Sequence, residues 1–235
     1  MGFLDDVKED QTLQIQVLCV AFFLLAFPSY FFYKAAATET PSGMGGLGFY
    51  EVTGELSYID FDNGGEYIAS GNTLTIPLNT DALSSEDQAM NIVGVLVTMS
   101  YGEDEETSGG ITCNPLNNGQ NAPDTITGTA IHAEFTNSAD GDNGGSTSHT
   151  VATEWYNSSI LEESIVIMEE ADIISELDSN GAGLGDYTID ITVNAQAGDT
   201  GPGCSRTDNG EEVSYNIQLI VLDYSIVPWI DLSDL

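Results

Sequence analysis

The chain has 235 residues, enough for one large domain or two small ones, and sets 38 acidic residues against three basic ones, a net charge of −35. The cations are Lys8, Lys34 and Arg206 alone. Nucleic-acid binding needs clustered Lys and Arg on phosphates, so it is excluded, and anionic lipid headgroups are repelled by everything except an apolar segment.

The first 12 residues, MGFLDDVKEDQT, are net acidic, lack the Ser or Thr of a myristoylation signal, and are expected to form a short cytoplasmic N-terminus. Residues 13–34 are read as a single transmembrane helix. Leu13 to Tyr33 is a run of 21 uncharged residues, and at ~1.5 Å per residue it covers about 30 Å of hydrocarbon. Gln14 and Gln16 lie at one end of the run; Tyr30, Phe31, Phe32 and Tyr33 form an aromatic belt at the other, followed by Lys34. The acidic leader and the long core favour a retained anchor over a cleaved signal peptide, although Ala35 and Ala37 offer an A-x-A arrangement. The lipid bilayer is therefore the partner expected for residues 13–33, with the long C-terminal part outside the cell.

Residues 35–48 read as a Gly-rich linker, and from residue 49 to residue 235 the period of the apolar pattern becomes two. The stretches YEVTGELSYIDF, NTLTIPLN, NIVGVLVTMSY, TITGTAIHAEF, SHTVATEWY, ESIVIM, DYTIDITVNA and VSYNIQLIVLDYSI each alternate, bounded by Gly, Asn, Asp or Pro. Only EEADIISELD reads as a helix. Seven to eight strands with one short helix predict an all-β fold, an antiparallel β-sandwich.

Cys19 falls in the apolar run, and Cys113 and Cys204 fall in Gly-rich loops. Two cysteines in an external domain suggest one disulfide, the alternative being two free thiols.

Oxygen donors cluster in two Gly-rich stretches. DSNGAGLGD offers Asp178, Asn180 and Asp186; DFDNGG offers Asp60, Asp62 and Asn63. Ca²⁺ takes oxygen ligands from such loops, so Asp178, Asn180 and Asp186 are the candidate ligands, although a bidentate Glu at the twelfth position is missing; the alternative is an ordinary solvated turn. No other cofactor is indicated. Asp199-Thr200-Gly201 is a single aspartic-protease tripeptide without its second copy, and His132 and His149 lack a third metal ligand at a recognisable spacing. His132, beside Ile131 and Ala133, is expected to face outward. Asn157 heads an N-S-S glycosylation sequon. No catalytic residue is identified.

Three resemblances add to these readings. In composition the chain is similar to surface proteins of salt-adapted or marine archaea, whose acidic side chains keep folded domains soluble. The strands GDYTIDITVNA and EEVSYNIQLIVLDYS resemble the last two of immunoglobulin-like domains, which implies an Ig-like sandwich over about residues 49 to 225, with Tyr187 capping a corner. That resemblance also implies that the loops carrying Cys113 and Cys204 lie at one end, within bridging distance. The outline of an apolar helix before an acidic β-domain resembles archaeal pilins and flagellum-like filament subunits, but KEDQTLQIQ has no Gly for their processing.

The sequence thus predicts a non-catalytic, single-pass, cell-surface protein for adhesion, envelope organisation or binding. A filament subunit that self-assembles, or an accessory subunit of a membrane complex, is the alternative.

Overall fold

The computed structural model describes residues 47–102, 105–109, 113, 119–143 and 148–229. The chain divides into two units, Met1–Gly46 and Leu47–Leu235, and the described residues all belong to the second. The expected N-terminus, the helix at 13–34, Cys19 and most of the linker therefore lie outside the described residues. Among the described residues no helix is long and apolar enough to cross a membrane.

The strands are β1 (Gly48–Ala69), β2 (Thr73–Asn79), β3 (Ile92–Tyr101), β4 (Glu106–Gly109), β5 (Asp124–His132) and β6 (Phe135–Asn143). They continue with β7 (Ser148–Glu154), β8 (Val166–Met168), β9 (Asp186–Asn194), β10 (Cys204–Thr207) and β11 (Gly210–Pro228). Two helices, α1 (Ser159–Glu162) and α2 (Glu170–Leu177), flank β8.

Hydrogen bonding orders one sheet as β7-β3-β11-β1-β8 and a second as β2-β9-β5-β6, with β10-β4 a separate ribbon. The ladders between β1 and β11, β2 and β9, β3 and β7, and β5 and β6 are all antiparallel. With the short β4, β8 and β10 set aside, eight strands remain, and the first pairs with the last, the second with the penultimate, and so on inward to the turn at Ala133 and Glu134. A chain folded as one long hairpin and then wound into two sheets is a jelly roll, the eight-stranded double Greek key.

The predicted all-β antiparallel sandwich is therefore present, but its topology is not immunoglobulin-like. In an immunoglobulin-like domain the last two strands are neighbours, whereas here β9 and β11 belong to different sheets. Alternation fixes which side chains face the core; it does not say which sheet a strand joins. The corner role of Tyr187 survives locally, since its hydroxyl donates to the Gly183 carbonyl at 2.7 Å.

The core lies between the sheets. β3 supplies Val95, Val97 and Met99 and β11 supplies Val213, Ile217 and Leu219, against Ile189, Ile191 and Val193 of β9 and Ile126 and Ala130 of β5. Each such aliphatic side chain contributes roughly 1.5–3 kcal/mol by leaving water. A second cluster covers the opposite face of the five-stranded sheet, where Val93, Ile220 and Leu222 meet Ile160 of α1 and Ile173 and Leu177 of α2. The spacing of Ile173 and Leu177 puts both on one helical face, and Glu170 and Asp172 favour the N-terminal turn electrostatically.

Two sequence readings change. DFDNGG, expected as an acidic turn, lies inside the 22-residue β1. A register shift between Asp60 and Asp62 inserts Phe61, whose ring meets Tyr187 edge-on at 5.3 Å. Asp60 accepts a hydrogen bond from Gln218 Nε2 at 2.8 Å across that ladder. FTNSADGDN, which shows no apolar alternation, forms β6 at the sheet edge, where Asp140 and Asp142 accept from Thr127 and Thr125 of β5.

Candidate functional site

The strands bring three carboxylates together at one end of the sandwich. Asp124 opens β5 with the same inward parity as Ile126, so the pleat turns its side chain into the interior. Glu211 stands near the start of β11 on the same inward face as Val213. Asp208 lies between β10 and β11. One carboxylate oxygen from each of the three falls within 4.8 Å of the others. Asp124 and Glu211 are fully buried.

Gly210 makes this corner sterically feasible. Its φ is +140°, in the region that favours glycine, and a Cβ there would overlap the carbonyl oxygen of Ile68. Its N–H donates to Asp208 Oδ1 at 3.2 Å.

Asp124 is held from two sides. Its Oδ1 accepts from the Gln196 N–H at 2.7 Å, and its backbone carbonyl accepts from the Tyr101 hydroxyl at 2.9 Å. Its Oδ2 is buried and has no hydrogen-bond partner.

The neighbouring cation, Arg206, is engaged through one of its nitrogens, while its Nε is buried without a hydrogen-bond partner. Arg206 Nη1 contacts Glu105 Oε2 at 2.6 Å, with side chains 4% and 0% exposed, and also donates to Asn121 Oδ1 at 2.8 Å. Glu105 Oε1 accepts from the N–H groups of Ala122 and Gly198 at 2.8 and 2.9 Å. Among the described residues this is the one salt bridge. The three-carboxylate group contains oxygen donors only, with no imidazole or thiolate, a set suited to a hard divalent cation.

Cys113 and Cys204 form the expected disulfide, with Cα atoms 5.1 Å apart. Cys204 opens β10, opposite Gly109 of β4. The bridge therefore anchors the strand that leads through Arg206 to Asp208.

The structure places the other predicted residues in distinct surroundings. Asp178 follows α2; its Oδ1 accepts from the Asn180 N–H at 2.7 Å, and Asn180 Nδ2 donates back to the Asp178 carbonyl at 3.1 Å. Asp186 begins β9 and accepts from Asn79 Nδ2 at 2.6 Å across the ladder to β2. Asn157 is part-exposed; its Nδ2 donates to Glu176 Oε2 at 3.1 Å, and the Ser159 hydroxyl donates to its Oδ1 at 2.6 Å.

His132 corrects an expectation: it is 2% exposed rather than outward-facing. The inward set of β5 is Asp124, Ile126, Gly128, Ala130 and His132, so Ile131 points to the other side. Its ring stacks on Tyr187 at 4.0 Å and lies 4.9 Å from Trp155. Its two nitrogens face the carbonyls of Asp186 and Ala182 at 2.9 and 2.5 Å. That is a packed structural histidine, not a metal ligand.

The carboxylate cluster was not singled out from sequence. The available signal was an acid at an inward position of two apolar-alternating strands, Asp124 before Ile126 and Glu211 before Val213.

No family model and no curated protein matches the chain. Solved structures are similar at low level. The structure of TmCBM61 in complex with beta-1,4-galactotriose is 9% identical with a TM-score of 0.26, covering 75% of this chain and 88% of that one. The structure of infectious bursal disease virus Gx strain is 11% identical with a TM-score of 0.26, covering 73% and 37%. That of Broad Bean Stain Virus is 8% identical with a TM-score of 0.26, covering 83% and 95%. The jelly-roll assignment rests on this chain's own strand order.

Proposed function

We propose that the protein is a non-catalytic, single-pass cell-surface protein, anchored by residues 13–33, whose acidic sandwich works outside the membrane in adhesion, envelope organisation or binding. The observation that carries this reading is the uncharged run from Leu13 to Tyr33, placed directly before a disulfide-bridged domain with almost no cations. A second feature supports it. Leu47, Phe49, Ile167, Val227 and Trp229 are all exposed. Phe49 is opposite Ile167 in the β1–β8 ladder, its ring lies 6.2 Å from that of Trp229, and its carbonyl accepts from the Trp229 N–H at 2.8 Å. An exposed apolar, partly aromatic patch of this kind suits a binding surface. The charge of the domain suits a surface that stays hydrated in strong salt, as in salt-adapted archaeal envelopes.

The test is fractionation of native cells with mass analysis of the N-terminus. An alkali-resistant membrane protein that retains residues 1–12 is expected. A soluble secreted chain lacking residues 1–37 overturns the anchor, and recovery in sheared filaments replaces it with the filament-subunit reading.

A further inference from the structure

We propose that Asp124, Asp208 and Glu211 form a Ca²⁺ site that ties β5 to the corner between β10 and β11. Buried carboxylates carry a severe desolvation cost unless a cation or hydrogen-bond donors compensate it. The one cation close in sequence, Arg206, is held by Glu105 and Asn121 through the same nitrogen. Carboxylate oxygens from three residues within 4.8 Å of one another are a set that one bound cation would bridge.

Asp124 makes this cluster a ligand site rather than a patch of acids. The residue has no exposure, its Oδ1 is fixed by the Gln196 N–H, and its Oδ2 is buried with no donor. A side chain clamped by one oxygen, with the other left over in the interior, is preorganised for an ion.

The donor set and the elements that carry it choose the ion. Carboxylates alone suit Ca²⁺, Mg²⁺ or Mn²⁺ rather than Zn²⁺ or copper. Metal–oxygen bonds of about 2.3–2.6 Å place ligand oxygens up to about 5 Å apart, while the shorter bonds of Mg²⁺ demand a tighter octahedron and several retained waters. Three carboxylates carried by two strands and a loop suit the flexible oxygen shell of Ca²⁺ better than the rigid, largely hydrated octahedron of Mg²⁺. The ligands come from β5, from the loop after β10 and from β11, so binding selects the closed corner and stabilises the fold. This inference is independent of where the domain is displayed.

The experiment is calorimetric titration of the full chain with CaCl₂, with thermal melts in EDTA and in Ca²⁺, all in 0.5 M NaCl so that exposed acids are screened. One Ca²⁺ per chain is expected, with the melting midpoint raised by roughly 5–10 °C once Ca²⁺ is about 100-fold above its Kd. Asp208→Asn and Glu211→Gln should abolish both, and Asp178→Asn should leave both unchanged. Asp208 is part-exposed, so its variant keeps the test available if the buried substitutions do not fold. Absence of heat and of any melting shift at 5 mM Ca²⁺ overturns the site. So does an equal shift with Mg²⁺, or a shift that survives Asp208→Asn and disappears in Asp178→Asn.

Discussion

Cys113 and Cys204 are 91 residues apart in sequence, yet their Cα atoms lie 5.1 Å apart and their sulfurs are bonded. The bond closes a loop containing β5, β6, β7 and β9, so its main effect is on the freedom of the unfolded chain. Reduction, or Cys204→Ser, is expected to lower stability by about 2–5 kcal/mol. Melts with and without dithiothreitol should differ by roughly 5–15 °C for a domain of this size. Equal midpoints would show that the bond constrains nothing.

The Arg206–Glu105 pair predicts an asymmetric pattern of mutational effects. Both side chains are buried, and Glu105 also accepts two backbone N–H groups. Arg206→Met strands a buried carboxylate and should cost about 3–5 kcal/mol in urea unfolding. Adding Glu105→Gln should recover part of that loss, because the orphaned charge is removed while one amide oxygen still accepts. Additive losses in the double variant would contradict the coupling.

High pH should destabilise the domain through its tyrosines. Burial pushes the Tyr187 phenol well above its ordinary value of 10.0. Burial first, and then nearby carboxylates, also raise Tyr156, Tyr215 and Tyr224. A raised phenol stays neutral in the folded state while the unfolded chain ionises near pH 10. Stability is thus fully present below pH 10 and falls above it. Tyr187→Phe should cost about 0.5–1.5 kcal/mol at pH 8, from the lost hydrogen bond to Gly183. Its disadvantage should shrink by pH 11, where phenylalanine has no proton to lose. A gap that widens between urea midpoints at pH 8 and pH 11 would contradict this account.

How much of this was legible in the sequence depended on which side chains met the core. β3, β9 and β11 were plain because their inward residues are Val, Ile, Leu and Met. β6 was hidden because an outermost strand needs no apolar face; Thr127–Asp140 and Thr125–Asp142 hydrogen bonds hold it instead. DFDNGG looked like a turn by composition, but pairing to β11 carries the strand straight through it, with Phe61 accommodated by a bulge. The pairing of first with last strand is a property of the whole chain, so two similar-looking strands could be taken for neighbours.

The site divided along the same line. The disulfide was legible because, with Cys19 set in the apolar run, two of the three cysteines remain for the β-domain and leave one pairing. The carboxylate cluster joins residues far apart in sequence, and only the inward parity of Asp124 and Glu211 separated them from 36 other acids. The Asp178 stretch has the composition of a cation loop, but Asp178 engages Asn180 and Asp186 engages Asn79.

The most direct measurement of the anchored-ectodomain reading is protease shaving of intact cells, cutting in the Gly-rich stretch at residues 42–47 ahead of β1. The account predicts that the folded domain from about residue 49 onward is released into the medium while a short fragment carrying residues 13–33 stays in the membrane. Protection of the domain until the cells are lysed would contradict it.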